Sequence, residues 1–267
     1  MARECGMMND ECGMKRKGGG RGVARSLACG GMALDDTRKG TVYDCSMASA
    51  LRAVFFDFDG LLADTEPAYY SACSSVMADW GVTVTREEYA ARWIVRGTKA
   101  AEELPRLGVK MDPDAWVAEV RARFRAAIAR ELKAMPHALE ALSAAKARFT
   151  TAVVTNTPHR DVESMLERLG MAKLLDHVVA REDYERSKPE GDCYRAACRS
   201  ARLEPLECLA LEDASRGVRA ASAAGVPVIA VLNEWTKSVV PPEAFLILNG
   251  LNELDLARIA ANWPPGK

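Results

Sequence analysis

The chain has 267 residues, with 36 basic and 37 acidic side chains that leave a net charge of −1 at pH 7. Because the charges balance, no overall field draws the protein toward nucleic acid or an anionic membrane, and neither is expected as a partner. Hydrophobic residues make up 49% and charged residues 27%, values typical of a globular enzyme, and the longest apolar runs are far shorter than the ~18 residues of a membrane-spanning helix.

The first 48 residues differ from the rest of the sequence. They contain three consecutive glycines and six of the 11 methionines. They lack both the period of 2 that is typical of strands and the period of 3.6 that is typical of helices. We therefore predict a disordered extension over 1–48. Residues 1–46 are compatible with a targeting segment or an over-long start-site assignment, and a compact domain could begin at Met47.

The eight cysteines indicate a reducing compartment. Those of the extension are widely spaced, without a CxxC pair or a nearby histidine, which disfavours a zinc site. Cys193, Cys198 and Cys208 fall in apolar segments, where cysteine packs as a small apolar residue. We expect a cytoplasmic protein, with organelle targeting by the extension left open.

From Leu51 onward, short apolar runs alternate with amphipathic stretches. The first run ends in Asp57, which is typical of a buried parallel strand that opens into a site. Further strands are predicted at 151–155, 178–180, 208–211, 226–231 and 245–248, and helices at 161–169, 192–202 and 215–224, the last closed by Gly225. This alternation predicts an α/β fold with a parallel sheet and helices on both faces.

The segment between the first two strands is helical in pattern. One predicted helix face carries Val117, Val120, Phe124 and Ile128, while the arginines at 121, 123, 125 and 130 lie off it and are expected to face solvent. The predicted organisation is therefore a core domain over 49–64 and 135–267 and a small all-helical domain over 65–134.

Four polar signals occur in chain order, each expected at or just after the end of a strand. They are Asp57-Phe58-Asp59-Gly60, Thr155-Asn156, Lys188-Pro189 and Glu212-Asp213. Taken singly, each pattern is also typical of a turn, a loop or a helix cap. Because the carboxyl ends of parallel strands meet at one edge of a sheet, we expect these side chains to converge on a single crevice.

These residue types suit phosphoryl transfer. Clustered carboxylates repel each other, so a divalent cation between Asp57 and Asp213 is expected, and oxygen ligands favour Mg²⁺. Asp57 can attack phosphorus and form an aspartyl-phosphate, while Asp59 protonates the leaving oxygen and later deprotonates water. Thr155 and Lys188 would hold the phosphoryl oxygens.

The combined motifs closely resemble the haloacid dehalogenase-like hydrolase superfamily. The likeness covers roughly residues 51–232 and is carried by 54–60 (VFFDFDG), 64–66 (DTE), 154–156 (VTN), 187–189 (SKP) and 211–217 (LEDASRG). It implies a Rossmann-like core. It also implies roles: Asp57 as nucleophile and metal ligand, Asp59 as acid/base and a metal ligand through its carbonyl, Thr155, Asn156 and Lys188 as phosphoryl ligands, Asp213 as a Mg²⁺ ligand and Glu212 as a second candidate.

The spacing of the motifs assigns the inserted domain. Ninety-eight residues separate Asp57 from Thr155, but only 33 separate Thr155 from Lys188, so only the first gap can hold a domain. This resembles the subclass with a helical cap after the first motif, whose caps close over the crevice and suit small phosphorylated metabolites. Arg96 and Lys99 are candidate contacts to a substrate anion, or they form a solvated helix end.

Asp59 narrows the reaction, because dehalogenases and phosphonate hydrolases of this superfamily lack an aspartate at that position. We predict a monomeric, magnesium-dependent phosphatase of a sugar phosphate, phosphoglycolate or a similar monoester. One alternative is a mutase resembling beta-phosphoglucomutase. In those sequences a histidine and a lysine take the positions that here carry Tyr69 and Arg96, which favours hydrolysis. A catalytically idle regulator that binds a phosphometabolite or a protein is the third hypothesis.

Overall fold

The computed structural model describes residues 50–239 and 241–265. The strands are β1 (Ala53–Phe56), β2 (Thr150–Val154), β3 (His177–Val179), β4 (Cys208–Glu212), β5 (Val228–Val231) and β6 (Leu246–Leu248). They form one parallel sheet in the order β3-β2-β1-β4-β5-β6. The predicted α/β fold with a parallel sheet is therefore confirmed. The predicted extension over 1–48 lies outside the described residues.

Strand β1 is central and buried on both faces. It pairs with β2 and β4, so that Phe56 lies opposite Val153 on one side and Leu211 on the other. Because side chains alternate along a strand, Val54 and Phe56 pack into one hydrophobic cluster and the other two side chains of β1 into a second. The carboxyl end of β1 is thereby held in the middle of the sheet edge.

Helices alone occupy the described chain between β1 and β2, apart from turns and isolated bridges. They are α1 (Glu66–Ala78), α2 (Arg86–Tyr89), which continues as a π-helix over Ala90–Val95, α3 (Ala100–Arg106), α4 (Pro113–Arg130) and α5 (Ala138–Lys146). The predicted helical character of 65–134 agrees with the first four. The domain boundaries themselves stay a prediction.

Helix α4 begins where Asp112 caps it, accepting hydrogen bonds from the backbone N–H groups of residues 114 and 115. Its buried face repeats every four residues and packs against α1. That face consists of Trp116, Val120, Phe124 and Ile128. Trp116 takes the place expected for Val117, which is only half-buried.

Two arginines of α4 that were expected to face solvent form ion pairs at the surface, where their side chains are 30% and 45% exposed. Arg123 pairs with Asp79 and Glu119. Arg125 donates two hydrogen bonds of 2.8 Å to the carboxylate of Asp161, which lies in the core helix His159–Arg168. This last pair joins the helical insertion to the core domain.

The remaining α-helices follow β2 in the chain. They are α6 (His159–Arg168), α7 (Asp192–Ala201), α8 (Ser215–Ala223) and α9 (Leu256–Ala261). Helices α7 and α8 pack against the sheet. Helices α5 and α9 were not predicted, although the buried face of α5 (Ala138, Ala141, Leu142 and Ala145) has helical spacing. No helix in the described ranges has both the length and the apolar character needed to cross a bilayer.

Candidate active site

The structure brings seven predicted side chains together at the carboxyl edge of the sheet. They are Asp57, Asp59, Thr155, Asn156, Lys188, Glu212 and Asp213, and all seven line one small cavity of about 20 Å³. Sheet geometry explains this convergence, because β1, β2 and β4 are neighbours and end at the same edge.

Lys188 is the buried cation of this cluster. Its Nζ donates hydrogen bonds to Asp57 Oδ1 (2.6 Å), Glu212 Oε1 (2.6 Å) and the carbonyl of Val154 (2.8 Å). Burial alone would lower the pKa of Lys188, but the charges of Asp57 and Glu212 outweigh it and raise that pKa. The lysine is therefore charged, and it orients both carboxylates.

Glu212 is held from two further directions. Tyr194, in helix α7, donates a hydrogen bond to the same oxygen that accepts from Lys188. On the other side the backbone of Gly217 passes so closely that a Cβ there would lie 1.9 Å from Glu212 Oε2. Position 217 therefore requires glycine.

Three carboxylates could hold a metal ion. Ligand oxygens of Asp57, Glu212 and Asp213 all lie within 4.8 Å of one another, and all three residues are buried. Burial, followed by the charge of Asp57, raises the pKa of Glu212 and of Asp213. A divalent cation would relieve this cost, and a set of carboxylate oxygens suits a hard cation such as Mg²⁺.

Asn233 supports this group although it was not predicted. Its Nδ2 donates 2.9 Å hydrogen bonds to Asp213 Oδ2 and to the carbonyl of Gly60, while its Oδ1 accepts from the N–H of Trp235 at 2.8 Å. The ring of Trp235 lies 5.9 Å from that of Tyr89 in the helical insertion. Asn233 follows strand β5, so applying the strand-end rule to β5 would have found it.

Asp59 is enclosed by hydroxyl groups. Thr157 Oγ1 donates to its Oδ2 at 2.6 Å, Thr65 Oγ1 to its Oδ1 at 2.8 Å, and Thr155 Oγ1 is 3.3 Å from Oδ2. Burial, and then the charge of Asp57, raises the pKa of Asp59, and the threonine hydrogen bonds oppose this only in part. A carboxyl group with a raised pKa suits an acid that delivers a proton. Thr65 and Thr157 had no predicted role.

Asn156 joins two of the loops. Its Oδ1 accepts from the hydroxyl of Tyr184 at 2.8 Å and from the backbone N–H of Lys188 at 3.3 Å. The loop after β2 therefore positions the loop that carries the lysine.

A larger cavity of about 250 Å³ adjoins the small one. Asp59, Glu66, Ile94, Asn156 and Arg216 line both. The aromatic part of its lining comes from the helical insertion and consists of Tyr69, Tyr89, Trp93 and Trp116. The cavity lies where a group attached to a phosphoryl in the small cavity would extend.

Arg96 and Lys99 are not brought to these cavities. Both side chains are exposed, and Arg96 lines a separate surface groove next to Glu234 and Trp235. Their neighbours Gly97 and Thr98 line the 250 Å³ cavity instead. Substrate contact by Arg96 and Lys99 stays a prediction.

Glu66 was part of a sequence motif but had no predicted role. Its carboxyl group is buried, and its Oε2 accepts a 3.0 Å hydrogen bond from the hydroxyl of Tyr89. Burial raises the pKa of Glu66 to about 7, although the guanidinium of Arg216 opposes the shift. Glu66 is thus a carboxyl group that changes charge near neutral pH inside the larger cavity.

This raised pKa predicts a pH dependence of stability. The unfolded chain releases the Glu66 proton near 4.5, but the folded protein retains it until about pH 7. The contribution of Glu66 is therefore fully present below pH 4.5 and is lost as pH rises through about 7. In metal-free buffer, wild type should lose up to roughly 3 kcal/mol of unfolding free energy over this range relative to Glu66→Gln.

Urea denaturation at several pH values measures this difference. The control is Glu87→Gln, at an exposed position of α2, which should follow the wild-type profile. Parallel profiles for wild type and Glu66→Gln would contradict the expected titration.

Comparisons with known proteins agree with this geometry. The haloacid dehalogenase-like hydrolase family matches residues 54–231. A phosphorylated carbohydrates phosphatase from Thermotoga maritima is 30% identical over 220 residues, covering 76% of this chain and 100% of that protein. The crystal structure of CbbY from Rhodobacter sphaeroides in complex with phosphate has a TM-score of 0.67 at 27% identity, covering 78% of this chain and 98% of the other.

A beta-phosphoglucomutase from Clostridium difficile shares the fold, with a TM-score of 0.65, 19% identity, and coverage of 79% of this chain and 96% of that one. The family match covers most of the described residues and includes all four motifs that the sequence predicted for the core site. It confirms the resemblance drawn from those motifs. The chain belongs to the haloacid dehalogenase-like hydrolase family.

Proposed function

We propose that this hydrolase removes the phosphoryl group from a small phosphorylated metabolite of the sugar-phosphate type, through an aspartyl-phosphate at Asp57. The observation that carries this proposal is that Asp57 and Asp59 lie close together in different environments. Asp57 accepts a hydrogen bond from the charged Lys188, which orients its carboxylate, whereas Asp59 is buried among hydroxyl groups with a raised pKa. A nucleophile needs the first environment and an acid needs the second.

The proposed reaction has two steps. In the first, a carboxylate oxygen of Asp57 bonds to phosphorus as the ester P–O bond breaks, and Asp59 gives its proton to the leaving oxygen. In the second, Asp59 takes a proton from a water molecule, whose oxygen bonds to phosphorus as the aspartyl P–O bond breaks. Asp59 thus regains its proton, and Asp57 regains its charge.

The residues present fit Mg²⁺. Asp57 and Asp213, the backbone carbonyl of Asp59 and, as a second candidate, Glu212 would hold it. When bound, Mg²⁺ would neutralise these carboxylates and stabilise the charge on the phosphoryl oxygens. Glu212 is the weaker candidate, because one of its oxygens already accepts from both Lys188 and Tyr194.

The larger cavity supports a small leaving group. At about 250 Å³ it is smaller than a drug-sized pocket, for which ~300–1,000 Å³ is usual. Its aromatic lining suits the apolar face of a sugar ring, while Glu66, Thr98 and Asn156 can hydrogen-bond to hydroxyl groups. The relative from Thermotoga maritima, a phosphorylated carbohydrates phosphatase, supports the same class of substrate.

An aspartyl-phosphate can pass its phosphoryl group to water or back to a sugar hydroxyl, as in a mutase. Tyr69, at the position where mutases of this type carry histidine, stacks on Phe124 with ring centroids 3.7 Å apart. Burial, followed by the charge of Asp59, raises the pKa of Tyr69 above the ordinary value of a tyrosine, which is already well above neutral. A phenol held this way does not exchange protons near neutral pH, which favours water as the acceptor.

We therefore expect a hexose 1-phosphate, with Mg²⁺, to yield free phosphate without accumulation of hexose 6-phosphate. A panel of phosphorylated sugars and acids, including phosphoglycolate, should give phosphate release that stops when EDTA is added. Isomerisation faster than phosphate release would favour the mutase. No release from any compound, nor from p-nitrophenyl phosphate, would favour the idle regulator.

A further inference from the structure

Arg216 lies in the first turn of α8 and lines both cavities. Burial alone would lower its pKa, but surrounding carboxylates outweigh this and raise it. In order of effect, these carboxylates are Glu66, Asp57, Asp213 and Asp59. Within the described ranges, no residue accepts a hydrogen bond from its guanidinium or lies within salt-bridge distance of it. Arg216 is a fixed positive charge with its donors available.

Lys188 differs from Arg216 in this respect. An ammonium group has three N–H donors, and the structure assigns all three, to Asp57, Glu212 and the carbonyl of Val154. A phosphoryl oxygen could bond to Lys188 only by displacing one of these partners. Arg216 carries five donors in a planar fork, the arrangement that binds two phosphoryl oxygens at once.

The charges that line the small cavity also favour Arg216 as the residue that binds the phosphate ester. The small cavity is lined by five acidic side chains and, among the described side chains, by two basic ones, Lys188 and Arg216. A phosphate ester adds further negative charge. Since Lys188 is bonded to two of the carboxylates, Arg216 is the cation of this lining that remains to attract the ester.

The position of Arg216 also suits contact with the phosphoryl group. It lines the passage between the small cavity and the 250 Å³ cavity. On the side of the helical insertion, its Cδ lies 3.9 Å from where a Cβ of Gly97 would be, and Gly97 has a φ of +65°. Gly97 therefore lies beside the arginine stem.

We infer that Arg216 is a phosphoryl-binding residue whose guanidinium donates to the non-bridging oxygens of the substrate and of the phosphate product. This inference rests on the proposed phosphatase function. Among the basic residues of the core, the sequence motifs assign phosphoryl binding to Lys188 alone. The inference adds Arg216 as a second basic residue that binds the phosphoryl oxygens.

The test measures binding of inorganic phosphate to the full chain with Mg²⁺ present, by isothermal titration calorimetry. Hydrogen bonds from a charged donor predict that Arg216→Gln weakens the affinity about 10- to 100-fold. Arg216→Lys should give a smaller but measurable loss, because lysine lacks the planar fork. The matched control is Arg219→Gln, an exposed arginine of the same helix, which should bind phosphate as wild type does.

If Arg216→Gln melts well below wild type, Arg216→Lys decides the test, because it keeps the charge. Wild-type affinity in Arg216→Gln, or in Arg216→Lys in that case, would overturn the inference while leaving phosphate release intact. If Arg216 only offset the charge of Glu66, the double variant Arg216→Gln/Glu66→Gln would regain wild-type affinity, which would also overturn it. Wild-type protein that neither binds phosphate nor releases it from any ester would overturn the inference and the proposed function together.

Discussion

Asp57→Asn should lower phosphatase turnover by at least about 10³-fold while the protein still folds. The amide has nearly the shape of the carboxylate, and its oxygen can still accept the hydrogen bond from Lys188, but it has no charge with which to attack phosphorus. Removing one member of a crowded carboxylate group also relieves repulsion, so the melting temperature should not fall. Phosphate release and thermal unfolding measure the two effects.

Comparing Asp57→Asn with Asp59→Asn distinguishes the nucleophile from the acid/base. Without its acid/base, this variant should also lose steady turnover, but any aspartyl-phosphate that forms should break down slowly. Mass spectrometry after acid quenching should therefore detect a phosphorylated chain in Asp59→Asn and none in Asp57→Asn. The control is Asp114→Asn, at an exposed position of α4, which should keep full activity. Substantial turnover in Asp57→Asn would exclude Asp57 as the nucleophile.

Lys188→Met should cost stability as well as activity. Removing one partner of a buried charge group leaves the other charges uncompensated, at a cost of roughly 3–5 kcal/mol. Here two carboxylates, Asp57 and Glu212, lose the same cation. Methionine fills a similar volume, so the loss is electrostatic rather than a cavity effect. Urea denaturation in metal-free buffer measures it.

The control for Lys188→Met is Lys133→Met. Lys133 also forms an ion pair, with Glu131, but the two side chains are 68% and 70% exposed. Exposed pairs of this kind contribute little to stability, so the control should unfold at the same urea concentration as wild type. Equal stability of Lys188→Met and wild type would show that the buried carboxylates do not depend on the lysine.

The strand-end rule predicted most of the core site because apolar runs followed by polar residues mark the places where parallel strands open into a crevice. It worked for β1, β2 and β4, whose ends carry Asp57, Thr155 and Glu212. The same rule was not applied to β5, which is followed by Asn233. For these positions, hydrophobic pattern and sheet topology together are sufficient.

Other site residues could not be predicted from pattern. Tyr194 lies on the apolar face of a helix and is fully buried, as a core residue would be. Periodicity indicates that depth, but not that its hydroxyl reaches Glu212. Glu66 and Arg216 depend on the distance between the helical insertion and the core, and the sequence carries no periodic signal for that distance. The sequence pattern also placed Val117 on the buried face of α4, where the structure has Trp116. The two positions are adjacent in sequence, and periodicity did not distinguish between them.

The hydrogen bonds of Asn233 have a consequence for how new substrate preferences can arise in this scaffold. One amide side chain holds Asp213 and also the turn that carries Trp235, whose ring packs against Tyr89. Exchanging the helical insertion for that of a relative would remove Tyr89 and leave Trp235 without this contact. A transplanted insertion would therefore need a ring that packs against Trp235 as Tyr89 does, because the turn that carries Trp235 is the one that Asn233 joins to Asp213.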